Sequence, residues 1–163
     1  MLFNLRAFGP VAGRAAPAEA VRAGFGALVG LGLTGLFVLS PVVDLELGLY
    51  LIAPFGATSV LLFAVPNSPL AQPWPAIVGN TVAALVAICI CILVSDPVLR
   101  PALAVSLAIT ATILCRALHP PAGAVAMTVA LSPDVVTELS LRFAFLPVAA
   151  GTVILVLIAM IYA

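Results

Sequence analysis

The sequence predicts an all-α polytopic membrane protein built from two three-element repeats. It has about six membrane segments, with helices broken at Pro54 and at Pro120-Pro121. Three observations carry this expectation. The first is composition: 64% of the 163 residues are hydrophobic and 7% are charged, against roughly 45–50% and 25% in a soluble domain. So little polar surface cannot cover a water-exposed enzyme, and a disordered or nucleic-acid-binding chain needs far more charge. The second is a series of apolar runs of spanning length, since a hydrocarbon core of ~30 Å takes about 20 helical residues. The third is a recurring Pro-x-Gly-Ala element: Pro54-Phe55-Gly56-Ala57 and Pro121-Ala122-Gly123-Ala124 lie 67 positions apart, and Pro66 and Pro133 share that offset.

Residues 1–21 read as a cytoplasmic lead, carrying Arg6, Arg14 and Glu19 among Gly and Pro. No compact apolar stretch with a cleavage site follows, so this is not a secretory signal. Residues 22–163 form a single transmembrane domain, with repeats at about 22–94 and 98–162. The first run, Ala23–Val43, holds Gly24, Gly26, Gly30, Gly32 and Gly35, which let another helix approach closely. Asp44 and Glu46 end it. The second run, Leu47–Val65, contains Pro54, and a linker with four prolines, Pro66–Pro75, forbids a continuous helix after it. Trp74 is suited to an interface anchor. The third run, Ala76–Val94, stops at Ser95-Asp96-Pro97. The fourth, Val98–Leu118, has Arg100 and Arg116 near its ends. A short run, Ala122–Leu131, and a polar connection with Asp134, Glu138 and Arg142 precede the last run, Phe143–Tyr162. Cys89, Cys91 and Cys115 sit in apolar runs, and their odd number argues against a disulfide framework. Arg6, Arg14 and Arg22 place the N-terminus in the cytoplasm, although Arg100 and Arg142 support a six-pass arrangement only in part.

The chemistry is expected at the two broken elements. Pro120 and Pro121 interrupt the preceding helix, and Pro suits the first position of a new one. A helix from Pro121 to about Ser132 is only about 18 Å long, so it starts within the membrane. Its start leaves unpaired N–H groups at Ala122, Gly123 and Ala124, matched in the first element by Phe55, Gly56 and Ala57. Protein, water or a ligand must satisfy such groups in lipid. Two such starts facing one cavity make a small-anion site; otherwise Pro and Gly only kink packed helices. Thr58 and Ser59 lie one turn on and are positioned to line the cavity. Arg116 is placed to attract an anion, or to snorkel to the interface. His119 is placed to orient the break, or to touch the ligand. Asn80, an amide within an apolar run, needs a partner. No metal-ligand cluster, nucleotide loop or nucleophile elbow is present, so no enzyme activity, cofactor or metal is expected.

Leu49–Trp74 (LYLIAPFGATSVLLFAVPNSPLAQPW) and Arg116–Met127 (RALHPPAGAVAM) resemble the HPP family of small integral membrane proteins, named for the motif matched by His119-Pro120-Pro121. The resemblance runs from about Arg22 to the end. It implies a compact polytopic helical domain, and nitrite as a substrate, because plant members are implicated in nitrite transport into chloroplasts. Some relatives carry an appended CBS-type domain; here the chain stops after its last apolar run and none is expected. The expected function is therefore small-anion transport, with nitrite the leading candidate and channel or carrier undecided. The alternatives are a membrane scaffold or subunit, and passage of another small solute or weak acid. The expected partners are the lipid bilayer, a small anion and further copies of the chain in a homo-oligomer, with no nucleic acid. The expected location is a bacterial inner membrane.

Overall fold

A computed structural model describes residues 13, 15–40, 45–132 and 141–163. Arg6, Arg14, Asp44, Pro133, Asp134 and Glu138, named above, lie outside the described residues. Among the described residues the fold is all helical. Helix α1 spans Pro17–Val38, α2 spans Leu45–Ser59 and continues as a π-helical stretch over Val60–Ala64, α3 spans Pro73–Leu93, and α4 spans Leu99–Leu114. Helix α5 spans Pro121–Leu131. The last helix, α6, occupies Ala144–Tyr162 and is π-helical over Ala144–Ala150 around Pro147. A short 3₁₀ turn, Pro69–Ala71, precedes α3. Helices α1, α3 and α6 have 22, 21 and 19 residues and are apolar and long enough to cross a membrane.

The ends follow from local chemistry. α1 begins inside the expected lead, because Pro17 takes the first helical position with Glu19 in the first turn. Asp96 begins α4: its Oδ1 accepts from the N–H groups of Leu99 at 2.7 Å and Val98 at 3.0 Å. Arg100 Nε donates to the Ala130 carbonyl at 2.8 Å, and Cys91 Sγ to that of Val129 at 3.5 Å, so neighbours occupy carbonyls in the last turn of α5.

Contacts between helix ends order the bundle. Tyr162, at the end of α6, donates its hydroxyl to the Arg22 carbonyl at 2.9 Å. Phe63, at the end of α2, packs on Gly26 near the start of α1. Trp74, at the start of α3, donates to the carbonyl of Cys115 just past α4. At the opposite face, the Val38 carbonyl meets Gly48, and Cys91 and Arg100 meet the end of α5. The six described helices therefore alternate in direction between an Arg22 face and an Asp96 face.

Small residues set the packing. α3 buries Ala76, Gly79, Asn80, Ala83, Ala84 and Ala87, which lets α4 and α5 lie close against it. A Cβ on Gly26 or Gly30 would stand 2.6 Å from the Phe63 ring, so these two glycines seat that ring against α1. Gly24, Gly32 and Gly35 have no atom near enough for a Cβ to touch and take no part in this packing.

One expected break is corrected. α2 runs through Pro54 without interruption. A lone proline removes one donor, and membrane helices tolerate that when neighbouring residues cover the freed carbonyl. The local irregularity comes later, at Val60–Ala64. The second break is real but has a different cause. α4 ends at Leu114, well ahead of Pro120, where Arg116 adopts the left-handed conformation with φ of 54°. Arg116 N–H donates to the Ile113 carbonyl at 3.0 Å and Ala117 N–H to that of Thr112 at 2.8 Å, which is the pattern of a Schellman stop.

Candidate functional site

The residues singled out in the sequence fall into three places. Ala122, Gly123 and Ala124 form the first turn of α5 and, with His119, line a groove of about 590 Å³ against α4, whose wall includes Ala108, Ile109 and Thr112. Phe55, Gly56 and Ala57 do not line it. They lie within α2, where Phe55 is buried and seats its ring on Gly151 of α6. Ser59 lines a separate groove of about 500 Å³ between α1 and the end of α2 and donates to the Phe55 carbonyl at 2.9 Å. Arg116 is exposed and lies outside both grooves.

The expected pair of facing helix starts is therefore reduced to one. Phe55, Gly56 and Ala57 are interior to a continuous helix, so their N–H groups do not form a helix terminus. In α5, the Ala122 N–H donates to the His119 carbonyl at 2.9 Å and the Gly123 N–H to that of Pro120 at 3.1 Å. These donors are already used within the turn. What the α5 start offers the groove is its partial positive charge and an open surface at Gly123, where nothing stands within 4 Å of a Cβ position.

The two repeated elements meet through one hydrogen bond, between Thr58 and His119 at 3.2 Å. It belongs to a longer buried chain. His119 Nδ1 lies 2.8 Å from the carbonyl of Leu70 in the 3₁₀ turn. A carbonyl only accepts, so Nδ1 carries the proton, and in the neutral imidazole Nε2 accepts from the Thr58 hydroxyl. Asn80 Nδ2 donates to Thr58 Oγ1 at 3.4 Å and to Thr152 Oγ1 at 3.2 Å. Thr152 donates to the Val148 carbonyl at 2.7 Å, beside the π-helical stretch of α6. His119, Thr58, Asn80 and Thr152 are each at most 1% exposed. The chain starts near the Arg22 face at Leu70 and reaches Thr152, ten residues from the end of α6 and thus about 15 Å along it.

Both hydroxyl protons are committed, one to His119 and one to Val148. The Asn80 amide must therefore turn its nitrogen to both threonines, which leaves Oδ1 buried without a partner. Thr34 Oγ1 on α1 is also buried and unpartnered. Unpaired polar atoms at such depth are costly.

Gly79 positions the His119 loop. A Cβ there would lie 2.6 Å from the Ala117 carbonyl and 3.0 Å from His119 Cβ, so only glycine lets α3 touch the loop this closely. Neither Gly79 nor Thr152 stands out in the sequence: one is a glycine in an apolar run, the other a threonine in the last span. Their signal is spatial. Among the described residues no group of three or more His, Cys, Asp or Glu side chains is placed to hold a metal ion.

Comparison with known proteins adds a family. The model of the HPP transmembrane region matches residues 12–163. A transmembrane protein of Dictyostelium discoideum is 33% identical over 117 residues, covering 69% of this chain and 37% of its own length. A second transmembrane protein of that organism is 33% identical over 137 residues, covering 78% of this chain and 47% of its own. The chain thus spans less than half the length of these relatives. No solved structure matches it significantly.

Proposed function

The chain belongs to the HPP transmembrane family, and from that premise we propose that it carries a small monovalent anion such as nitrite across the bilayer. The observation that supports this most is the groove between α4 and α5. It joins the positive start of a short helix to a buried histidine, which in turn heads a polar chain leading into the bundle. An ionisable group such as His119 at such depth is expensive in a membrane protein and points first to function. Gly123 and Ala124 offer close backbone approach and His119 the link to the interior, while the Thr112 hydroxyl is committed to the Ala108 carbonyl at 2.8 Å. Arg116, exposed and outside the groove, raises local anion concentration through its field. Among the described residues that line the groove, His119 is the one titratable side chain, which favours transport over catalysis.

Arg22 and Arg116 stand on one face, and Arg6 and Arg14 precede α1 in the sequence. Arg100 on the other face is engaged with the end of α5. Arg142, just ahead of α6, stands on that other face too, so the preference for a cytoplasmic Arg22 face comes from Arg6 and Arg14. The outward side of α1, with Val21, Phe25, Leu28 and Leu36 exposed beside the open Gly24 and Gly32, supports association of copies through α1.

The test is protein-dependent nitrite flux into proteoliposomes. Gly123→Leu fills the groove without meeting a neighbour at its Cβ, and is expected to reduce flux at least tenfold while the protein stays folded. Arg116→Gln is expected to cost only a few-fold. Flux no greater than in empty liposomes, from folded protein, overturns the reading.

A further inference from the structure

The buried hydrogen-bond chain has a fixed polarity. Each donor in it is used: His119 Nδ1–H on Leu70, the Thr58 hydroxyl on His119, Asn80 Nδ2–H on two threonines, and the Thr152 hydroxyl on Val148. The order is fixed at both ends by backbone carbonyls, which cannot donate. A single polar atom of the chain is left over, and it is an acceptor, Asn80 Oδ1, in a residue that is 0% exposed. An anion brings only lone pairs and finds no donor there. A solute with its own O–H finds a vacant acceptor. Besides His119 this hydrogen-bond chain holds no titratable side chain: Thr58 comes from α2, Leu70 from the 3₁₀ turn, Asn80 from α3 and Thr152 from α6.

We propose that Asn80 Oδ1 is a binding point for the hydroxyl of a small neutral acid, so that the substrate passes the centre of the bundle as its conjugate acid and not as the anion. This rests on the transport reading above and specifies the species carried. The anion gathers at the α5 start, takes up a proton from water at the groove, and proceeds with no net charge. No proton or electron is left on the protein.

The experiment measures nitrite flux into proteoliposomes, with the flux of empty liposomes subtracted, because nitrous acid also leaks through lipid. At constant total nitrite, lowering pH by one unit raises the neutral acid about tenfold while the anion stays nearly constant. The expected result is protein-dependent flux that rises about tenfold per pH unit and is unmoved by a potassium–valinomycin potential. Flux that ignores pH and follows the imposed potential overturns this proposal and leaves anion transport standing. Absence of protein-dependent flux overturns both. Asn80→Leu, which removes the acceptor, is expected to reduce the flux at least tenfold, and an undiminished flux rules out Asn80 as the binding point. If that variant does not fold, Thr152→Val is read instead. It releases one of the two hydroxyls that orient the amide, and a several-fold loss is expected; no loss overturns the assignment.

Discussion

Glycines that look alike along the chain differ in what they do. Gly79 faces the Ala117 carbonyl and His119 Cβ at 2.6 and 3.0 Å, whereas Gly123 faces open space. Gly79→Ala is expected to destabilise by about 1–3 kcal/mol through overpacking, seen as a lower unfolding temperature in detergent. Gly123→Ala is expected to leave stability unchanged or raise it by up to about 1 kcal/mol, because Ala is the better helix former. Equal effects at the two sites would contradict the placement of the His119 loop against α3. Arg116 carries its own cost, since a side chain in the left-handed region is disfavoured by about 1–2 kcal/mol. Arg116→Gly is expected to regain about 1 kcal/mol of stability on thermal unfolding while lowering nitrite flux a few-fold. A protein that keeps a strained arginine at a position suited to glycine gives up stability there, and loss of the charge is where a functional role shows.

At the scale of elements, the starts and stops of helices decide where the site lies. α4 depends on Asp96, whose carboxylate is held below the usual range by the N–H of Leu99 first and that of Val98 second. Because the folded-state value is depressed, this stabilisation is present above the unfolded value of 3.8 and is lost as pH falls through the folded one. Asp96→Ala is therefore expected to lower the unfolding temperature near neutral pH. The gap to the unsubstituted protein should close in strong acid, and a gap independent of pH would count against the cap. The two proline elements show how local rules divide. Pro54 sits within α2 because one missing donor is tolerable, while the interruption before α5 is set by the left-handed turn at Arg116. Neither outcome is legible from proline alone. A proline states which hydrogen bond is missing, not whether the helix ends.

For the whole molecule, the six described helices alternate between two faces, with Ser68 on the Arg22 face and Asp96 on the other. In a cysteine-free background, Ser68→Cys and Asp96→Cys are expected to react with a membrane-impermeant maleimide from opposite sides of the bilayer. Labelling of both from one side would refute the alternation. Much of this architecture is written in the sequence. Composition dictates a lipid solvent, and the apolar runs mark α2 to α6 to within four residues, because burying each backbone in its own helix is compulsory in hydrocarbon; α1 starts six residues ahead of its run, at Pro17. α5 begins at Pro121 as the spacing predicts. The buried polar chain is only half legible. Thr58 and His119 could be named from their neighbours in the chain, but their hydrogen bond links residues 61 positions apart. Asn80 showed itself as a polar residue in need of a partner, and Thr152 did not show itself at all. Gly56 and Gly123, matched in sequence, do not share a cavity, since one is mid-helix and the other near a helix start. Local composition and pattern are enough for the solvent and the helices, because each follows from the transfer cost of nearby residues. Which polar atoms meet, and which one, Asn80 Oδ1, is left over, is settled by the packed bundle, because hydrogen-bond pairing depends on distances between helices that no local pattern encodes.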